Sequence, residues 1–256
     1  MSTMARTRET ESKWVVVGID GSEAAISAAR WAVDEAASRR VPLRLVYVIP
    51  PNRSAQPPAG ETVELALRCA RAAVESLGKP VDVESAVLHG PPGQVLIDES
   101  GDAAMICVGF VGRGRVVSVP LGSTASALSR HSHCPVAIVA AGDAAHSYGS
   151  WIAAALDDEP DNDAVVQRAM VEARLRKASV LLIDRRVDSW IRRYPDIHVH
   201  TVAEARSATR CIENDDQSIQ LVIVGSADAE NVAGLVDLNC HPVLRYTNST
   251  VLLVRQ

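Results

Sequence analysis

The apolar residues of this chain fall in short continuous runs that alternate with stretches of helical periodicity. The runs WVVVGI and AMICVG are apolar at successive positions, and LRLVYVI is apolar except for Arg44, which is typical of parallel strands covered on both faces. Between the first two runs, apolar residues from Ile26 to Ala36 recur at helical spacing, and Ser22 stands where a helix N-cap is expected. The alternation predicts an α/β fold with a mostly parallel sheet and helices on both faces. For the first 140 residues the predicted strands are 14–19, 43–49, 81–87, 104–109 and 135–140, and the predicted helices are 22–38, 61–77, 93–100 and 123–131.

The pattern begins again after residue 150. WIAAALD matches WVVVGID, so that Asp157 follows Asp20 by 137 positions, and Glu172 follows Glu35 by the same 137 positions. An offset held through strand and helix indicates a tandem repeat of one α/β unit, each with an open five-stranded sheet. Both units end in a strand, PVAIVA and STVLLVRQ, whose exposed edges could pair with each other or with a second chain in a homodimer. The predicted segments are a first unit at 1–141, a linker at 142–150 and a second unit at 151–256.

Composition and charge argue against several classes of function. The formal net charge of −5 and the pI near 5.8 argue against a nucleic-acid partner. No apolar run reaches the length of a membrane span, and the opening MSTMARTRETESK lacks the apolar core of a secretory signal, so we expect a cytosolic protein. The five cysteines form no C-x-x-C pair and are expected to be reduced, mostly buried thiols rather than disulfides or zinc ligands.

The stretch GFVGRGRVVSVPLGSTAS, residues 109–126, joins the fourth strand to the next helix. Ligands of open α/β sheets bind at the carboxyl ends of strands, and free N–H groups at a helix N-terminus attract anions. Glycines allow close approach of the backbone, hydroxyls add donors and arginines neutralise negative charge. The spacing is neither that of a P-loop nor G-x-G-x-x-G, and ordinary turn and cap chemistry is the alternative interpretation. The residues predicted to form an anion site are Gly109, Gly112, Arg113, Arg115, Gly122, Ser123 and Thr124.

The pattern G-x2-G-x9-G-S resembles the ATP-binding signature of the universal stress protein family. VVVGIDGSEAA is similar to the opening strand and turn of that family, and LGSTASALSRHSHCPVAIV to its closing helix and strand. The resemblance implies that the first unit binds ATP with Mg, that Asp20 beside Gly18 contacts the ribose and adenine, and that Val48 packs on the adenine. The resemblance also implies which residues surround the phosphates, namely Gly109, Gly112, Arg113, Gly122, Ser123 and Thr124. Phe110 departs from the family, which carries a small residue there.

The second unit departs further. Adding 116 to the motif positions gives Gly225, Asp228, Leu238 and Asn239, so three of the four motif residues are lost. We therefore expect the second unit to bind no nucleotide and to serve as a structural partner of the first.

Three functions remain open at this point. The first is a stress-response regulator without catalytic residues, in which ATP acts as a conformational signal. The second is a weak ATPase, disfavoured because Asp20 is the one carboxylate that can be placed near the motif. The third is a nucleotide-free interaction module whose pocket is closed by Phe110.

Overall fold

The structure is a computed structural model, and it describes residues 14–51, 60–110, 121–140, 151–156, 162–183, 193–202, 219–226 and 249–255. In the first half the strands are β1 (Trp14–Ile19), β2 (Leu43–Ile49), β3 (Val83–His89), β4 (Ala103–Gly109) and β5 (Val136–Val139). The helices of this half are α1 (Glu23–Arg39), α2 (Gly60–Glu75), α3 (Pro92–Glu99) and α4 (Ser123–His131). The second half contributes β6 (Trp151–Ala155), α5 (Asn162–Arg176), β7 (Ser179–Ile183), β8 (Val199–Val202), β9 (Ile219–Val224) and β10 (Thr250–Leu253).

Every element predicted for the first half is confirmed, with ends that differ by no more than two residues. In the second half the strands predicted within WIAAALD and STVLLVRQ are confirmed as β6 and β10, and VLLI forms most of β7. The sequence reading did not single out β8 and β9, although the repeat requires strands there. The predicted linker 142–150 lies outside the described residues.

All the described strands lie in one ten-stranded sheet with the order β3-β2-β1-β4-β5-β10-β9-β6-β7-β8. Within each half the neighbouring strands are parallel, and the order of the second half repeats that of the first in reverse. The halves join where β5 and β10 pair antiparallel, with Ile138 opposite Val251. The two five-stranded units therefore form one continuous sheet with an approximate twofold axis at this pairing.

Both faces of the sheet are buried along its central strands, as the apolar runs predict. Along β1, Val15, Val17 and Ile19 pack in the same core cluster as α1, α2 and α5. Val16 points to the opposite face, where α3 and α4 supply Leu96 and Leu128. Side chains of a strand alternate between faces, so an unbroken apolar run is what a sheet covered on both sides needs.

Two further features concern the burial of the cysteines and the length and apolar character of the helices. The thiols of Cys107 and Cys134 are buried, as predicted, whereas Cys69 on α2 is exposed; Cys211 and Cys240 lie outside the described residues. Among the helices that the structure describes, none combines the length and the apolar character needed to cross a membrane.

Candidate functional site

A cleft of about 300 Å³ opens at the carboxyl ends of β1, β2 and β4. The chain leaves β1 for α1 on one face of the sheet, and α4, which follows β4, packs on the other face. Neighbouring strands whose connections diverge in this way leave a crevice between them, which is where open α/β sheets bind ligands. The cleft is lined by Gly18, Ile19, Asp20, Ser22, Ala25, Val46, Val48, Pro92, Leu96, Val108, Gly109, Gly122, Ser123, Thr124 and Ala125.

Most of the residues that the sequence assigned to a nucleotide site are brought together here. The lining includes Gly18, Asp20, Val48, Gly109, Gly122, Ser123 and Thr124, which come from three strand ends and one helix start. Gly112, Arg113 and Arg115 lie outside the described residues. Positions more than 100 residues apart in sequence, such as Asp20 and Thr124, thus face one cavity.

The α4 side of the cleft is suited to an anion. Helix α4 begins after Gly122, where no side chain caps the helix, and its first turn holds no acidic residue. Its first backbone N–H groups therefore lack an acceptor from a capping side chain, and the positive end of the helix dipole adds to their attraction for negative charge. Ser123 and Thr124 stand at this end of the cleft and supply hydroxyl donors.

The α1 side differs because its helix start is already occupied. Ser22 Oγ accepts a hydrogen bond from the Ala25 N–H at 3.2 Å. Asp20 Oδ1 accepts one from the Ser22 N–H at 2.9 Å, which fixes the turn between β1 and α1. Asp20 is exposed. Among the described residues that line the cleft, Asp20 is the only charged one. A carboxylate at this place accepts hydrogen bonds from ligand hydroxyl groups.

Gly109 has a structural role that the sequence did not reveal. A Cβ added there would lie 2.4 Å from the carbonyl carbon and 2.5 Å from the carbonyl oxygen of Ala24, in the first turn of α1. The sequence argument assigned the missing Cβ to close approach of a ligand. In the structure the missing Cβ allows the end of β4 to approach α1, and this contact shapes the wall of the cleft.

The floor and one wall of the cleft are apolar. Val46 and Val48 come from β2, Val108 from β4, and Pro92 and Leu96 from α3. The sequence analysis singled out Val48 alone. Pro92 and Leu96 went unnoticed because helical periodicity identifies a buried face but does not say which strand ends that face will cover.

Phe110 is not among the residues that line the cleft. It is half-buried and packs against the core on the α3 and α4 face, while its backbone N–H donates to the Val139 carbonyl at 2.7 Å. The expectation that Phe110 closes the pocket therefore finds no support in its position.

The second half keeps part of this framework. Gly225 follows β9 directly, as Gly109 ends β4. Asp157, Asp228, Leu238 and Asn239 lie outside the described residues, so the expectation that the second half binds no nucleotide stays a prediction. Within the described ranges no group of three or more histidine, cysteine or acidic residues is placed to hold a metal ion.

Comparisons with known proteins agree with this architecture. Residues 11–140 match the model of the universal stress protein family. Universal stress protein Rv2624c of Mycobacterium tuberculosis is 41% identical over 272 aligned positions, which cover 99% of this chain and 100% of that protein. Universal stress protein Rv2028c of the same species is 35% identical over 94% of this chain and 96% of its own length.

A solved structure supports the fold over both halves. The crystal structure of a universal stress protein from Archaeoglobus fulgidus superimposes with a TM-score of 0.71 and 18% identity, covering 96% of this chain and 97% of the other. At this identity the likeness concerns the fold. Together with the family match and the full-length relatives, it shows that the chain belongs to the universal stress protein family.

Proposed function

We propose that this chain is an ATP-binding stress-response regulator of the cytosol, with the nucleotide held by the first half and no catalytic role for the protein. The observation that carries the proposal is the composition of the cleft: an uncapped helix start, an apolar wall and one carboxylate face the same cavity. A nucleotide presents the matching groups, namely phosphates, a flat base and ribose hydroxyls.

The phosphates would bind at the start of α4. The N–H groups that follow Gly122 and the hydroxyls of Ser123 and Thr124 are donors without competing negative charge in the first turn of the helix. Such a helix start is a general binding site for phosphate groups. Arg113, from the same glycine-rich stretch, would add positive charge.

The adenosine would occupy the other end of the cleft. Val46, Val48 and Leu96 offer an apolar surface for the base, since ligand pockets combine an apolar lining with a few polar groups that set orientation. Asp20 is the polar group at this end and would accept hydrogen bonds from the ribose hydroxyls. A Mg²⁺ ion would enter with the nucleotide, held mainly by phosphate oxygens, because Asp20 is the one carboxylate of the described lining.

The absence of a catalytic role is proposed on the same grounds. Hydrolysis of a phosphoanhydride needs a positioned water and usually carboxylates that hold metal ions. Asp20 is the one carboxylate of the described lining. It already accepts a hydrogen bond from the Ser22 N–H at 2.9 Å and is placed for ligand hydroxyls. ATP would then act by favouring one conformation of the protein over another.

The first experiment asks whether the protein carries or binds the nucleotide. Freshly purified protein is denatured, and the supernatant is analysed for ATP by mass spectrometry. Binding of Mg-ATP to the emptied protein is then measured by calorimetry. Release or binding of ATP supports the proposal, whereas no ATP in either measurement refutes it. Steady ATP turnover that disappears in Asp20→Ala would instead favour an ATPase.

A second experiment tests the start of α4 without unfolding the helix. Ser123→Asp places a carboxylate in the first turn, where it stabilises a helix by about 0.3–1 kcal/mol but repels phosphate. We expect this variant to be at least as stable as the wild type and to lose ATP binding. The matched variant Ser123→Asn, of similar size and without charge, should bind ATP within a few-fold of the wild type. Equal affinities of the two variants would contradict the assignment.

A further inference from the structure

Two histidines lie side by side on the edge strand of the second half. Among the described strands, β8 pairs only with β7 and ends the sheet. His198 directly precedes β8 and His200 lies within it, so both side chains leave the strand on the same face. Both residues are exposed, and their ring centres lie 4.6 Å apart at an interplanar angle of 78°. The pair therefore presents imidazole nitrogens to solvent.

The neighbouring strand holds the backbone of both histidines in place. The His198 carbonyl accepts a hydrogen bond from the Val180 N–H at 2.9 Å. His200 lies opposite Leu181 in the register of β7 and β8. Side chains two positions apart on a strand share a face at a spacing that the strand itself sets. The approach of the two rings thus follows from regular strand geometry.

Trp151 of β6 forms a wall beside the two rings. Its side chain is buried in the core on this face of the sheet. The indole ring centre lies 5.0 Å from that of His200 and 6.0 Å from that of His198. Because the indole is fixed by the core, it limits the orientations open to both imidazoles. Binding groups that are already restricted lose less conformational freedom when a ligand binds.

Ser179 of β7 makes a polar contact with His198. Ser179 Oγ lies 3.4 Å from His198 Nδ1. When Nδ1 carries the proton and donates it to this hydroxyl, Nε2 keeps its lone pair and can coordinate a metal ion. Histidines that bind metals commonly donate their other N–H to a neighbouring acceptor, which fixes the tautomer and the ring orientation.

The separation of the two rings matches adjacent positions on one metal ion. An ion about 2.1 Å from an imidazole nitrogen lies about 3.2 Å from the centre of that ring. Two ring centres 4.6 Å apart then subtend an angle of about 90° at the ion. This is the angle between neighbouring ligands of a square-planar or tetragonal Cu²⁺ or Ni²⁺ ion. Tetrahedral coordination, which Zn²⁺ adopts in structural sites, would place the ring centres about 5.2 Å apart.

We propose that His198 and His200 form a surface site for a divalent transition-metal ion of the Cu²⁺ or Ni²⁺ type, bound through one nitrogen of each ring. Imidazole suits these ions, and Cu²⁺ is the most tightly bound of the divalent first-row metals. Within the described ranges no group of three or more histidine, cysteine or acidic side chains forms here. Water or a donor atom of a small molecule would therefore take the remaining positions of the ion. This proposal does not depend on nucleotide binding.

The test titrates Cu²⁺ into the full chain, without an affinity tag and without nucleotide, and follows tryptophan fluorescence. An ion held by the two histidines would lie close to the Trp151 ring, and paramagnetic Cu²⁺ would quench its emission. We expect saturable quenching of part of the fluorescence at one Cu²⁺ ion per chain. In Trp151→Phe this quenching should be lost, whereas calorimetry should still detect Cu²⁺ binding.

Variants of the histidines show which residues bind the ion. His198→Ala and His200→Ala should each weaken Cu²⁺ binding by at least about tenfold, the loss that follows even from removing an outer partner of a metal ligand. His131→Ala is the matched control. His131 and His133 have the same spacing, but they flank Ser132, the C-cap of α4, and do not lie on a strand. The control should bind Cu²⁺ with the affinity of the wild type.

Electron paramagnetic resonance of bound Cu²⁺ provides an independent measurement of the ligands. The wild-type spectrum should show two coordinated imidazole nitrogens, and the spectrum of each single variant, His198→Ala or His200→Ala, should show one. Three results would overturn the proposal: no saturable Cu²⁺ binding by the wild type, wild-type affinity in either histidine variant, or a wild-type spectrum without two imidazole nitrogens. Each would show that the two rings only pack against Trp151.

Discussion

Replacing Gly109 by alanine adds one methyl group at the tightest backbone contact of the cleft. The new Cβ would lie 2.4 Å from the carbonyl carbon, 2.5 Å from the oxygen and 2.8 Å from the Cβ of Ala24. An ordinary contact begins near 3.4 Å, so α1 and the end of β4 must separate by about 1 Å. The atoms involved are mostly backbone and cannot rotate away. Overpacking of this kind typically costs about 1–3 kcal/mol, and we expect Gly109→Ala to lower the free energy of unfolding by this amount.

Urea unfolding followed by circular dichroism measures the effect, with Gly60→Ala as the matched control. A Cβ at Gly60, the first residue of α2, meets no atom of the described residues within 4 Å. The control substitution should therefore leave stability unchanged or raise it slightly, since alanine is the better helix former. Ser22 and Ala25, at the start of α1, line the cleft. Gly109→Ala should therefore also weaken the binding of a ligand in the cleft. A Gly109→Ala protein as stable as the Gly60→Ala protein would refute the packing argument.

Two other substitutions test local elements of the structure. Ser22→Ala removes the hydroxyl that accepts the Ala25 N–H at 3.2 Å and should lower the free energy of unfolding by about 1 kcal/mol; an unchanged urea midpoint would show that the cap does not contribute. Arg176→Met leaves Glu35 and Glu172 with one cation fewer in a buried site. Loss of one partner of a buried ion pair costs about 3–5 kcal/mol, so the same unfolding assay should show a larger loss than for Ser22→Ala.

The secondary structure of the first half follows closely from local pattern. Mostly apolar runs of six or seven residues predicted β1 and β2, and Ser22 before a helical period predicted the start of α1. These signals are local, because a strand that is buried on both faces and a helix with an N-cap can each be recognised from a few consecutive residues. The sequence analysis did not single out β8 and β9 of the second half, although β9 is an apolar run of the same kind.

Part of the candidate site was predicted because the signals of that part are also local. Gly122, Ser123 and Thr124 form a recognisable helix start, and Asp20 stands at the end of an apolar run. The wall supplied by Pro92 and Leu96 depends on how α3 packs over the sheet. The distance between a Gly109 Cβ and Ala24 is likewise a property of packing, and no sequence pattern contains it.

By itself the sequence determined the α/β fold, the tandem repeat and the end of the sheet at which a ligand would bind, because hydrophobic periodicity and chain direction settle these features. Only the tertiary structure decided that β5 and β10 join the units into one sheet. It also brought Glu35 and Glu172, 137 positions apart, onto the same arginine nitrogen. The repeat places a glutamate at the same point of each unit, but the ion pairs that join both carboxyl groups to Arg168 exist only because the fold brings the two halves together.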